Sequence, residues 1–485
     1  MNSGETLGIK SVAWVFRRCI RAIIWFFSNR VIGGLWAMTA CLGATYYYAQ
    51  RLDPVYPLKT WLFWQLGAVW GWLLLLMLGC MSFGQLLVHR VLKLRGLQLL
   101  ESAVLGMACG VMAFVWGMYL SGALALYSGV FAVLLPVGMI ALSHRQGLAF
   151  ARAAYEASRI PSRRSLFALF AVPAGVLCVG VLYLSSMTPD SLNYDSVWSH
   201  MTVAQDYARE HRIVAFPGDF NKNMPQLHSL IYAWAFLVPG LHPALRWMLA
   251  LHTEFILFVW TLAGTAAGIR ALLGNRSLPG AWTMFFLFPA IFVYDNNLGG
   301  AADHICAFFM PPILIALLRL CRDFCPEHGA LLGVTGAGAL LTKYQAAYAI
   351  APAAMIVLAA AVWHFCARWR VQSGAQGSIR VLWVLAVLVG IGGLAVCPHF
   401  VRNYVFYRNP VYPFMSDVFT RTHPTVPNFA YNVEYVLKDL TYRPQGTLLD
   451  RFKQALELCF TFSFEPHYSF TKNVPVFGSL FTLLL

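Results

Sequence analysis

Charge is what this chain has least of. Asp, Glu, Lys and Arg make up 11% of its 485 residues, less than half of the roughly 25% found in soluble domains. Hydrophobic residues reach 59% and the mean hydropathy is +0.62, which excludes a soluble globular protein and a disordered one. The 11 cysteines fall mostly inside apolar segments without a paired framework, so a disulfide-stapled secreted domain is excluded as well. Cys321 and Cys325 form a lone CxxxC pair and read as packing residues rather than zinc ligands. No short-period repeat is evident. A cleavable signal is not expected either. The first apolar stretch is broken by Arg17, Arg18, Arg21 and Arg30, and no small-residue cleavage site follows. Residues 12–27 read instead as a basic helix on the cytoplasmic surface.

What is present is a series of apolar blocks near membrane thickness. About twenty residues cross the roughly 30 Å hydrocarbon core as a helix. Spans are expected at residues 31–48, 61–84, 102–121, 122–143, 166–185, 246–268, 278–294, 304–320, 329–341, 345–366 and 381–400. Residues 478–485 look like the start of another, as though the chain continued. The fold class is therefore an all-α polytopic membrane protein.

The charges are sorted along this series. Lys plus Arg is 35 and Asp plus Glu is 20, a net of +15. In a soluble protein that excess would suggest nucleic acid. Here the basic clusters fall on alternate turns: Arg17 to Arg30, then His89 to Arg95, then Arg145 to Arg164, and three later pairs or triplets. All lie on one side if the N-terminus is cytoplasmic, as the positive-inside rule expects. No nucleic-acid partner follows. Most of the acids fall on the other side, which the rule does not require. Chemistry is therefore expected at the outer face.

Three parts follow. Residues 1–160 hold four spans and short connections and read as N-terminal accessory helices. Residues 161–402 hold seven spans and two polar outer loops. Residues 403–485 hold a long outward segment rich in Tyr, Pro and Asn, followed by that last apolar stretch. Such long connections are usually functional.

The first outer loop runs Pro189-Asp190-Ser191-Leu192-Asn193-Tyr194-Asp195. Residues 201–212 then form an amphipathic pattern, with Val203 and Tyr207 opposite Asp206 and Glu210, suited to the membrane interface. A carboxylate at such a boundary suits general base catalysis, with burial raising its pKa. Asp190 and Asp195 can equally cap the next helix. A rigid aromatic turn, Phe216 to Pro225, contains Asn223, and residues 226–237 resume as a helix. The second outer loop runs from Asp295 through Gly299-Gly300 to Asp303-His304. Its double glycine permits close backbone approach. Asp303 can cap the next span, bind a sugar hydroxyl or take Mg²⁺ or Mn²⁺.

Two cations break the orientation rule. Lys343 and Arg402 both emerge outward. A phosphate or pyrophosphate suits them. Snorkelling is the alternative for Lys343, and pairing with a loop carboxylate for Arg402. Within a span, Glu254 with His252 suggests a transporter's proton relay or, more simply, a hydrogen bond to a neighbouring helix.

Five ordered motifs carry a family resemblance: Asp190-Ser-Leu-Asn-Tyr194; Phe216-Pro217 with Asn223-Met224-Pro225; Thr342-Lys343-Tyr344; Arg402-Asn403; and Asn409-Pro410-Val411-Tyr412-Pro413-Phe414. Over residues 165–415 the chain resembles bacterial integral-membrane glycosyltransferases of the GT-C fold. These are related to protein O-mannosyltransferases and lipid A aminoarabinose transferases, and their shared module has seven helices. The resemblance implies a polyprenyl-phosphate-linked sugar donor and an envelope glycan, lipid or protein acceptor. It places the active site at the periplasmic face of the bacterial inner membrane. It also implies an inverting reaction with an Asp base. That base corresponds to Asp190, with Asp195 competing because it stands where many relatives carry His. Asp303 matches the second-loop acid, and Lys343 and Arg402 the donor-phosphate cations. His304, Asn223, Tyr194 and Tyr344 are expected to orient sugar, acceptor or metal. The rival readings are a transporter or flippase of lipid-linked sugars, a polysaccharide ligase or polymerase, and a non-catalytic scaffold.

Overall fold

The computed structural model describes residue 18 and residues 30–57, 60–159, 166–187, 192, 194–216, 219, 221–274, 298–371, 374–415, 418–419 and 446–461. Among these, every regular element is a helix. Eight helices among the described residues are long and apolar enough to cross a membrane, and the chain is a helical multi-pass membrane protein. It divides into two compact units, residues 1–68 and 69–485. The first contains α1 (Arg30–Leu52) and the beginning of α2 (Leu62–Leu86).

In the second unit the long helices are α3 (Leu99–Ala123), α4 (Gly129–Ser158), α5 (Leu166–Ser185) and α8 (Pro243–Leu273). They continue with α9 (Asp303–Asp323), α10 (Pro326–Thr342), α11 (Ala347–Val371) and α12 (Gly374–Tyr407). Two short helices, α6 (Met201–Arg209) and α7 (Leu227–Leu237), lie between α5 and α8. A last helix, α13, spans Leu448–Thr461. The expected span at 278–294, the apolar end at 478–485 and the surface helix at 12–27 lie outside the described residues, apart from Arg18.

Lipid offers no hydrophobic drive for helix association, so close contact relies on small residues. A Cβ on Gly84 would overlap the Gly106 carbonyl, and one on Gly110 would overlap that of Cys80. Only glycine lets α2 and α3 meet there. In the same way, a Cβ on Gly333 would come within 2.8 Å of the Leu388 carbonyl, where α10 crosses α12. α3 is the best-enclosed span. It packs against α4, α7, α8, α9, α10 and α12, and most of its side chains are buried.

The sequence expects a span at 122–143. Instead α3 runs to Ala123, the chain turns, and Ser128 caps α4 by accepting the Phe131 N–H. Hydropathy marks apolar length but is blind to a short apolar turn.

α6 has the expected two faces, with Val203 and Tyr207 buried and Glu210 exposed. Its apolar face packs on α7 rather than meeting only a membrane surface. α7 is buried along its whole length. At the far end of the bundle, Glu101 of α3 pairs with Arg319 of α9, both buried. Arg319 also donates to the carbonyl of Gly96 at 3.0 Å.

Candidate functional site

Two polar clusters occupy the bundle end at which α10 stops and α9 begins. The first is built on the start of α9. Asp303 lies in its first turn, where a carboxylate suits the helix dipole, and the residue before it, Ala302, supplies no side-chain cap. Asp303 Oδ1 and Oδ2 accept from Lys343 Nζ at 2.7 and 2.8 Å. Lys343 follows the last residue of α10 in extended backbone, which lets it reach back. Two residues singled out separately in the sequence are thus one ion pair.

Glu254 of α8 is fully buried beside this pair's helix. Its Oε2 accepts the Gly300 N–H at 2.6 Å, and its Oε1 lies 2.9 Å from His304 Nδ1. The double glycine therefore turns a backbone amide toward a carboxylate of the protein itself. Gly300 has φ +83°, and a Cβ there would strike Met201. Glu254 thus fixes the second loop against α8. His252 bonds the Met248 carbonyl and Tyr183 at 2.8 and 3.1 Å.

A π-turn, Ser196–His200, leads into α6 and packs on this loop, with Ser196 donating to the Gly299 carbonyl at 2.5 Å. His200 Nδ1 and His228 Nε2 are 2.8 Å apart. Burial, and then the nearby Lys343 ammonium, push the His200 imidazole down to about 4, with Asp303 opposing. The ring is neutral at neutral pH. Asp195 precedes the turn with an exposed side chain that makes no cap hydrogen bond. Tyr194 is 74% exposed and its ring lies near Trp198. Asp190 and Asp295 lie outside the described residues.

The second cluster centres on Arg402, near the end of α12 and only 6% exposed. Its Nη1 donates to Asn403 Oδ1 at 2.9 Å, and its Nη2 to Asn223 Oδ1 and the Val214 carbonyl at 3.3 and 3.4 Å. These acceptors are all neutral. Asn223 also accepts from Tyr407 at 2.5 Å, and its amide donates to the carbonyls of Phe216 and Asp219. Its Oδ1, which accepts from Tyr407 and Arg402, ties the aromatic turn to α12, while both amide hydrogens close the turn on itself.

The Asn-Pro-Val-Tyr-Pro-Phe stretch folds back over the same helix end. Asn409 bonds both Val411 N–H and Phe414 carbonyl, and Asn403 donates to the Tyr412 carbonyl at 3.0 Å. Tyr344, next to Lys343, bonds His399 Nε2 at 2.9 Å, and His399 meets Asn403 at 3.2 Å. A chain of neighbours therefore runs from Asp303 and Lys343 through Tyr344 and His399 to Arg402.

A cavity of about 490 Å³ opens between α3 and α12. Its walls are mostly apolar, including Trp116, Leu120, Pro398, Val401 and Phe406, and its polar groups include Arg402 and Arg212. Trp116 Nε1 donates to the Ala395 carbonyl and so ties the two walls. Arg402 Nε is buried and has no hydrogen-bond partner among the described residues. Arg212, His200 and His228 were not singled out from sequence. Their roles depend on which chain segments meet, and only Arg212 carried a signal, as a cation on the acid-rich side.

The described donors alone do not make a metal site. Among the described residues no three His, Cys, Asp or Glu side chains converge as ligands. Asp303 is held by Lys343, and both Glu254 oxygens are occupied. The chain matches no protein-family model, no curated protein and no solved structure.

Proposed function

We propose that the chain is a membrane glycosyltransferase. It moves a sugar from a polyprenyl-phosphate carrier to an envelope acceptor at the periplasmic face of a bacterial inner membrane. The observation that carries this reading is the apolar cavity between α3 and α12 with a buried guanidinium in its wall. An isoprenoid chain needs apolar walls at the level of the spans. Its phosphate needs a cation that is held in place at the cavity wall. Arg402 lies in that wall, and neutral amides orient it without cancelling its charge.

In the reaction, a carboxylate of the first outer loop takes the proton of the acceptor hydroxyl as its oxygen attacks the anomeric carbon. The bond from that carbon to the carrier phosphate breaks, and Arg402 stabilises the departing phosphate. Single displacement inverts the anomeric centre. Asp190 is the base in this reading, as the family resemblance suggests. Lys343 adds positive charge near the same loop while Asp303 holds it in place. Asn223 acts by positioning Arg402.

A transporter is less well supported. Glu254 and His252 are both satisfied inside the protein, so neither stands as a vacant relay site.

The test uses membranes containing the full chain and a radiolabelled polyprenyl-phosphate sugar. Label should pass to an acceptor with wild type and fall at least about a hundredfold with Arg402→Gln, the scale of losing one oriented transition-state donor. Unchanged transfer by a folded Arg402→Gln chain would refute the assignment.

A further inference from the structure

The proposed reaction leaves one polar pair near Asp303 and Lys343 without a task, His200 and His228. The chain builds this pair on a widened turn. Ser196–His200 is a π-turn, closed by the Met201 N–H on the Ser196 carbonyl. Such turns recur at functional sites. Ser196 fastens the turn to the second outer loop through the Gly299 carbonyl, and Met201 and Val203 beyond it are buried. The backbone on both sides of His200 is therefore held.

The neighbours of the pair fix its hydrogens. Ser199 Oγ gives its one hydrogen to the Asp195 carbonyl at 2.8 Å. It has only lone pairs left for His200 Nδ1, 3.2 Å away. His200 Nδ1 therefore carries the hydrogen and donates it to His228 Nε2 at 2.8 Å. His228 itself is buried on α7. The Thr342 carbonyl, at the end of α10, favours a hydrogen on His228. With Nε2 turned to His200, that hydrogen is on Nδ1, although no acceptor meets Nδ1 in full hydrogen-bond geometry.

A neutral imidazole has one donor nitrogen and one acceptor nitrogen. With Nδ1 donating, His200 Nε2 is a bare lone pair. The His200 side chain is half-buried. Its Nε2 accepts nothing from the described residues, and unlike His228 Nδ1 it is not sealed from solvent. Burial first, and then Lys343, keep the ring neutral. An uncharged acceptor binds a hydroxyl without repelling an anion close by. A carboxylate in its place would repel a carrier phosphate and compete with Asp303 for Lys343.

We infer that His200 is a substrate-binding residue, whose Nε2 accepts a hydrogen bond from a hydroxyl of the transferred sugar or of the acceptor. His228 is the positioning residue that fixes the tautomer and plane of His200. This role rests on the sugar-transfer reading and adds to it a group from the turn after the first outer loop.

Two measurements keep the two failures apart. Histidine nitrogen NMR on the purified full chain, with His200→Gln to identify the signal, reads the tautomer without substrate. His200 Nε2 should carry no hydrogen. A hydrogen on Nε2 in a chain that still transfers sugar would overturn the binding role and leave the transferase reading standing. Transfer is then assayed with polyprenyl-phosphate glucose, mannose and galactose. No transfer by wild type from any of them would refute the transferase reading and the binding role together. Gln places an amide oxygen where His carries Nε2, whereas Asn reaches only as far as Nδ1. His200→Gln should therefore keep kcat/KM within about threefold of wild type, and His200→Asn should lose about tenfold, the scale of one hydrogen bond. The loss should appear in KM, for the donor if the hydroxyl is the sugar's and for the acceptor if it is the acceptor's. If His200 served only to hold His228, Asn would be the better replacement. A folded His200→Asn chain as active as His200→Gln would overturn the binding role.

Discussion

Lys343 Nζ sits between the two carboxylate oxygens of Asp303, at 2.7 and 2.8 Å, across 40 residues of sequence. The pair joins the end of α10 to the start of α9, and its acid is 61% exposed while its base is 23% exposed. An ion pair this open contributes only about 0–1 kcal/mol. Its importance lies in where it holds a charge.

Lys343→Met is therefore expected to shift stability little and to lower sugar transfer about tenfold or more. Asp303→Asn frees Lys343 and should also reduce transfer. Because the two act as a unit, the double variant should resemble the worse single variant. Transfer assays on all four chains check this, and fully additive losses would show that the two act independently.

Asp190 and Asp195 differ in expectation. Asp195 has an exposed side chain and makes no cap bond, so Asp195→Asn should leave both stability and transfer near wild type. Asp190→Asn should lower transfer about 10²–10⁴-fold, the range for removal of a general base. The same transfer assay decides. The reverse ranking would make Asp195 the base.

His200 gives a pH dependence. Its folded-state pKa is lowered to about 4 from 6.5, first by burial. The unfolded chain then binds a proton that the folded chain refuses. Stability is complete above about pH 6.5 and declines as pH falls toward 4. His200→Gln should flatten that part of the curve. Thermal unfolding in detergent between pH 4.5 and 7.5 tests it, and an equal decline in wild type and variant would rule His200 out as the cause.

Glu101 and Arg319 form the buried ion pair at the other end of the bundle, with Arg319 also holding the Gly96 carbonyl. Removing one member leaves an uncompensated charge, so Glu101→Leu should cost about 3–5 kcal/mol. Glu101→Leu with Arg319→Met should recover much of that loss. Denaturation midpoints of the two variants give the comparison, and a double variant no more stable than Glu101→Leu would count against the ion-pair account.

Asp303, Lys343, Tyr344, Arg402 and Asn223 were singled out from motif and charge, and the structure joins them along one bundle end. Their partners were not visible. Lys343 offered snorkelling or a phosphate, and it holds Asp303. Arg402 offered a phosphate or a loop carboxylate, and among the described residues it donates to two asparagines and the Val214 carbonyl. Asn223 is expected to orient sugar, acceptor or metal, and in the structure its amide hydrogens go to Phe216 and Asp219.

By itself the sequence determined that the chain is helical and crosses a membrane repeatedly. Transfer into lipid is a sum over local residues, so length and composition are enough to find most spans. It also leads to the expectation that most acids and most cations lie on opposite sides of the membrane. Only the tertiary structure decided which polar groups meet, because partners such as Asn223 and Arg402 lie 179 residues apart. It also decided that the gap between α3 and α12 is a cavity with a guanidinium in its wall. Where two helices touch and where they part depends on glycines and bulky side chains facing each other across the bundle, and no single segment encodes that.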